Sequence, residues 1–191
     1  MISEQSGDYL VRAARAVIQD YLRHNKISKP EGYPVDLNEK NGVIVELFKK
    51  LPSSAQKELR GSGGSLSFNK PAAHACAEAA VAACGDKRFA AFSMQELPVT
   101  KIHVSVIGEE PKQIFAKSLT EYMRAFTQGQ EGLIMRKGAS TGILMPQIIL
   151  QNKWSAVEAL ENLSQKTGMD KDAWKNNAAK IFTFKAQLFK E

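Results

Sequence analysis

The stretch Leu59-Arg60-Gly61-Ser62-Gly63-Gly64-Ser65-Leu66 constrains this chain more than any other. Its glycines accept positive φ without steric cost and let another backbone or a ligand come close. Arg60, just ahead of them, carries a planar fork of donors suited to an anion. The pattern predicts a tight turn or bulge leading into Leu66-Ser67-Phe68, reached by a basic helical run from Ala55 to Arg60. Before it, Gly42 to Phe48 is a compact apolar run that reads as a strand, connected through Leu51-Pro52-Ser53-Ser54. After it, Pro71 to Cys84 is rich in alanine, the strongest helix former, and Gly85 is placed to end that helix.

The remaining periodicities alternate between helix and strand. Leu10, Ala14, Val17, Ile18 and Tyr21 recur at helical spacing over Tyr9 to Leu22, with Asp8 as the expected N-cap. Lys29 to Pro34, with two prolines and a glycine, reads as a loop. In Lys101 to Ile107, Ile102, Val104 and Val106 oppose His103, Ser105 and Ile107, as on a strand. Glu110-Pro111 is expected to open a helix running to about Phe126. Gly132 to Lys137 and Gly142 to Met145 flank Gly138-Ala139-Ser140-Thr141, which is hairpin chemistry. Trp154 to Gln165 reads as a helix stopped by Gly168, and a short helix is expected over Asp172 to Ala178. A last strand follows, with Phe182, Phe184, Ala186 and Leu188 alternating against Thr183, Lys185 and Gln187. Hairpins outnumber βαβ units, so the expected class is α+β with a mainly antiparallel sheet and packed helices.

The 191 residues fit one domain over 1–191, with room for a larger and a smaller lobe and a cleft between them. The loops near Lys29 to Pro34 and Gln128 to Glu131 are the seams composition suggests. Hydrophobic content of 43% and charged content of 24% are those of an ordinary globular protein. No apolar run approaches the roughly 20 residues a membrane helix needs, so no membrane association is expected. Met1-Ile2-Ser3-Glu4-Gln5 lacks the basic start and apolar core of a signal peptide, which makes a cytoplasmic location the expectation. A net charge of +6 favours anionic partners, nucleic acid included, although a solvated basic surface explains it as well.

Chemistry-bearing patterns are few. Cys76 and Cys84, on one helix, would lie about 12 Å apart along its axis, too far for a disulfide. The histidines, His24, His74 and His103, share no short spacing, and neither cysteine belongs to a Cys-x-x-Cys pair, so no metal is expected. Gly61 to Gly64 lacks the Lys-Ser/Thr ending of a phosphate loop, no Gly-x-Gly-x-x-Gly opens a helix, and no cofactor is expected. Ser62 has no recognisable base beside it, which favours a hydrogen-bonding or turn role over a nucleophile. Phe89 and Trp154 read as core aromatics.

Leu-Arg-Gly-x-x-Gly-Ser-Leu, in this context, resembles the signature of the AMMECR family, named for the Alport syndrome, midface hypoplasia and elliptocytosis chromosomal region. The family core reads Leu-Arg-Gly-Cys-Ile-Gly; here Ser62 and Gly63 stand in place of Cys and Ile. The similarity continues in Gly42-Val43-Ile44-Val45, Asp86-Lys87-Arg88-Phe89, Glu96-Leu97 and Val104-Ser105-Val106-Ile107. It extends through Glu131-Gly132-Leu133-Ile134, Leu144-Met145-Pro146-Gln147, Trp154, Lys166-Thr167-Gly168-Met169 and Phe184-Lys185-Ala186. The resemblance implies neighbouring strands at Gly42 and around the glycine segment, with Arg60 to Ser65 at a sheet end or turn. Arg60 and Arg88 lie in its motifs, and if they converge with Gly61, Ser62, Gly64, Asp86 and Gln147 they make a candidate ligand pocket of Arg forks, glycine amides and one side-chain amide; the alternative is that Asp86 and Arg88 only staple a loop.

In function, the resemblance implies an accessory or substrate-binding component associated with Memo-like and radical S-adenosylmethionine proteins. The alternatives are an RNA-binding or RNA-modification component and a small-molecule enzyme using the glycine-turn pocket. Ser62 in place of the family Cys counts against a thiol mechanism.

Overall fold

A computed structural model describes residues 1–50, 57–116, 118–176 and 178–191. The chain divides into two compact units: Met1–Gly108 with Gln187–Glu191, and Glu109–Ala186. The breaks fall after Gly108 and after Ala186, not in the loops that composition suggests as seams.

In the first unit, α1 spans Glu4–His24; its N-cap is Ser3, not Asp8, and Asn25 closes it in the left-handed conformation. The helix starts earlier than its apolar spacing suggests because the Ser3 hydroxyl accepts the Ser6 amide. Strands β1 (Gly42–Lys50), β2 (Lys57–Ser65), β3 (Thr100–Ile107) and β8 (Gln187–Lys190) form an antiparallel sheet in the order β2-β1-β3-β8. Helix α2 (Ala72–Cys84) ends at Gly85, as its sequence predicts.

One face of this sheet presents Val43, Val45 and Leu47 of β1 with Ile102, Val104 and Val106 of β3. They share a core with Leu10, Ala14 and Ile18 of α1 and Ala73, Cys76 and Ala80 of α2. Each fully buried Leu or Ile contributes roughly 1.5–3 kcal/mol of transfer free energy. Cys76 and Cys84 are free and buried, and burial pushes both thiols up to about 12. They are small core residues.

The second unit has its own antiparallel sheet, β4 (Lys112–Ile114), β5 (Glu131–Lys137), β6 (Ser140–Leu144) and β7 (Lys180–Lys185), in the order β4-β7-β5-β6. Gly138, at φ +59°, takes the first central position of the two-residue β5–β6 turn, as a type II′ turn requires. Against the sheet pack α3 (Leu119–Ala125), α4 (Pro146–Gln151) and α5 (Ala156–Lys166), the last opened by a Ser155–Glu158 capping box.

Four expectations need correction here. The helix expected from Glu110 to Phe126 is strand β4 followed by the shorter α3, because Ile114 pairs with Ile181 of β7 and Ser118 supplies the cap. The short helix expected over Asp172 to Ala178 contracts to a 3₁₀ turn at Ala173–Lys175. The last strand is two, β7 and β8, which belong to different sheets. Lys57 to Arg60 are strand, not helix; Leu51 to Ser54, Ala55 and Gln56 lie outside the described residues.

Candidate functional site

The glycine stretch is the body of edge strand β2, not a turn. Gly61, Ser62 and Gly63 pair with Leu47, Glu46 and Val45 of β1. The register slips at Arg60, which stands as the extra residue of a bulge between Leu59, opposite Phe48, and Gly61, opposite Leu47. What requires the glycines is α2. A Cβ on Gly63 would sit 2.6 Å from the Ala82 carbonyl carbon and 2.7 Å from the Ala79 oxygen, and one on Gly61 would enter the Ala83 carbonyl. Gly64, at φ +143°, would drive a Cβ into the Val43 carbonyl. The alanine-rich helix thus lies backbone to backbone on the strand, which only residues without a side chain permit.

Arg60 is bound inside this unit. Its Nε donates to Glu96 Oε1 at 2.8 Å, and its terminal nitrogen donates to Glu96 Oε2 at 3.0 Å and to the Ala90 carbonyl at 2.9 Å. Its guanidinium also lies 5.3 Å from the Phe92 ring centroid. Lys49 Nζ reaches Glu96 Oε1 at 2.5 Å, and the Ser93 amide and hydroxyl donate to the other oxygen. The Arg60 hydrogen bond, ahead of those from Lys49 and Ser93, holds the Glu96 carboxyl down at about 2. The sequence offers Arg60 as a fork for an external anion; the structure supplies that anion from its own chain.

Asp86 joins three of the expected residues. Its Oδ2 accepts the Ser62 amide at 2.9 Å, and its two oxygens accept Arg88 Nε and a terminal nitrogen at 3.0 and 2.6 Å. These bonds, chiefly the one from the Arg88 side chain, hold its carboxyl at about 2. The Arg88 side chain remains 53% exposed while that of Asp86 is 9% exposed, so a half-buried carboxylate aims a half-exposed guanidinium. Phe89 lies 5.9 Å from the Arg60 guanidinium and 5.5 Å from that of Arg88. It is half-buried, not a core aromatic. Gln147 does not end a hairpin strand; it sits in the first turn of α4, behind Pro146, in the second unit.

Sequence reasoning misses a polar row that strand register creates. Ser62, Glu46, His103 and Lys190 are successive cross-strand partners on β2, β1, β3 and β8. Glu46 and His103 are each 6% exposed. The imidazole packs on Phe48, with ring centroids 4.5 Å apart, and its Nε2 has no hydrogen-bond partner among the described residues. Burial, then the Lys57 and Lys190 charges, lower its pKa to about 4, so His103 is neutral at pH 7. Ser62 and His103 lie two strands apart, about 10 Å at ordinary strand spacing. No proton passes directly between them; the residue beside Ser62 across the ladder is Glu46. His103 is visible in the sequence, but its row is not, because nothing short of the register aligns it.

Among the described residues, no group of three or more His, Cys, Asp or Glu is placed to hold a metal ion, and no helix is long and apolar enough to cross a membrane.

Comparison with known proteins places this geometry. Protein MK0488 of Methanopyrus kandleri is 37% identical over 189 residues, covering 98% of this chain and 89% of its own. A protein of Thermofilum pendens is 35% identical over 196 residues, covering 100% of this chain and 92% of its own. The crystal structure of uncharacterized protein PH0010 from Pyrococcus horikoshii matches with a TM-score of 0.90 at 32% identity, across 100% of this chain and 93% of that one. The AMMECR1 family model matches residues 11–189. On this evidence the chain belongs to the AMMECR1 family.

Proposed function

We propose that the protein is an accessory or substrate-binding component, not a self-contained enzyme, and that it acts with Memo-like and radical S-adenosylmethionine proteins as the family resemblance implies. One observation carries the reading. Arg60 and Lys49 are neutralised by Glu96, whereas Arg88, paired with Asp86, keeps a half-exposed guanidinium whose direction Asp86 sets and whose loop is tied to the glycine strand through the Ser62 amide. Such a group recognises a carboxylate or phosphate and moves no proton.

The RNA reading draws on a different feature. Lys57, Lys101 and Lys190 are exposed on β2, β3 and β8 around His103, a cluster of positive charge that favours phosphates. Affinity purification of the tagged protein, with and without ribonuclease, tests both. Stoichiometric protein partners that survive ribonuclease and are lost in Arg88→Ala are the expected result. Recovery of a defined RNA, with affinity falling steeply in salt and lost in a Lys57→Glu/Lys190→Glu variant, would replace it with the nucleic-acid reading.

A further inference from the structure

The second unit carries a cavity of about 870 Å³ that no residue of the glycine motif touches. Ile114 at the end of β4, Phe115 beyond it, Tyr122 of α3, and Trp174 and Lys175 of the 3₁₀ turn line it, with Lys180 at the start of β7. Its volume falls in the range of small-molecule sites. The inner wall is aromatic: Tyr122 and Trp174 are buried and meet edge to face, with centroids 5.6 Å apart. Phe115 is 83% exposed, an unusual position for so large an apolar ring.

The polar groups are unevenly occupied. Lys175 Nζ lies 5.3 Å from the Trp174 ring centroid and is neutralised by Asp172 at 2.5 Å. Glu121, on the lining, is itself partnered. Lys180 is exposed and has no ion pair among the described residues. Trp174 Nε1 is buried and has no hydrogen-bond partner among the described residues. A cation without a counter-ion beside aromatic walls defines a complementary ligand.

We propose that this cavity binds a small amphipathic organic anion. Its apolar or aromatic body lies against Tyr122, Trp174 and Phe115, and its carboxylate, sulfonate or phosphate faces Lys180. The proposal is independent of the Arg88 reading and uses none of its residues.

The probe is 8-anilinonaphthalene-1-sulfonate, with the uncharged N-phenyl-1-naphthylamine as its comparison, titrated into the full chain at pH 7. The expected result is saturable binding of the sulfonate to a single class of site, with quenching of tryptophan emission and a higher urea midpoint, because the probe binds the folded chain. Lys180→Glu, a surface change, is expected to weaken the sulfonate about fivefold, the scale of one exposed charge pair, and to leave the uncharged probe unaffected. Ala179→Trp, which fills the cavity, abolishes binding of both while Arg88→Ala does not. A urea midpoint that is unchanged or lowered by the probe overturns the proposal. So does equal weakening of both probes by Lys180→Glu, or full affinity in a folded Ala179→Trp variant.

Discussion

The glycine strand of the first unit and the cavity of the second treat polar atoms in opposite ways. At the strand, the Ser62 amide, both Asp86 oxygens, Arg60 and Glu96 are all bound to one another or to neighbouring backbone. At the cavity, Trp174 Nε1 is buried without a partner among the described residues, as Thr183 Oγ1 is elsewhere in the second unit and Asn41 Oδ1 and His103 Nε2 are elsewhere in the first. A satisfied network fixes geometry, and removing a member costs stability. An unsatisfied buried group already costs stability, and removing it without leaving a void recovers some of that. A motif rich in charge can therefore be largely scaffold, with Arg88 half-exposed at its edge, while a cavity in an unremarked segment offers a second place for a ligand.

The largest effect expected is that of Gly63→Val. The new side chain meets the α2 backbone, which cannot swing aside, so a loss of about 3 kcal/mol or more in urea unfolding is predicted. Tolerance of that change would show that the helix does not lie on the strand and would end the comparison.

Acid titration sharpens it next. His103 is held at about 4 against an ordinary 6.5, so the folded chain binds fewer protons than the unfolded one in that interval, and stability falls as pH drops from 6.5 toward 4. Asp86 and Glu96 are held at about 2 against ordinary values of 3.8 and 4.5; they add stability above those values and lose it as pH falls through 2. Urea unfolding across a pH series should show both stages. His103→Gln removes the upper one and Asp86→Asn flattens the lower.

Thr183→Val keeps the shape and deletes a hydroxyl without a partner. A gain of about 1 kcal/mol is expected, where the same logic applied to Asp86 gives a loss. The smallest effect belongs to Ser62→Ala. The backbone amide, not the side chain, holds Asp86, so the change should stay within about 0.5 kcal/mol in thermal unfolding.

Most of the fold is legible because local pattern and tertiary role agree. The apolar spacing of Leu10, Ala14 and Ile18, the run at Gly42, the alanines of α2 and the Gly138 hairpin each say locally what the packing then uses. Where they disagree, the sequence misleads. Glycines argue against a strand interior, and only the helix lying across Gly61 and Gly63 reverses that argument. Pro146 looks like the end of a strand, yet it occupies the first position of α4, where its missing N–H does no harm. The alternation from Phe182 to Leu188 is unbroken, and nothing in it marks the change of sheet at Ala186. Among the site residues, the Asp86–Arg88 pair is readable at a spacing of two. Glu96 as the partner of Arg60, and Glu46 beside His103, arise only from register and from a long loop.

The bulge at Arg60 and the Asp86 carboxylate on Ser62 also bear on how copies of this chain behave together. β2 is an edge strand, and an edge offers its outward N–H and C=O groups as a template for a strand from another molecule. Here the ladder is broken one residue before the glycines, and at Ser62 a carboxylate already occupies the donor an incoming strand would need. The side-chain-poor strand that lets α2 approach would otherwise be the easiest place for aggregation to begin. The contacts that hold Arg88 in place protect that edge as well.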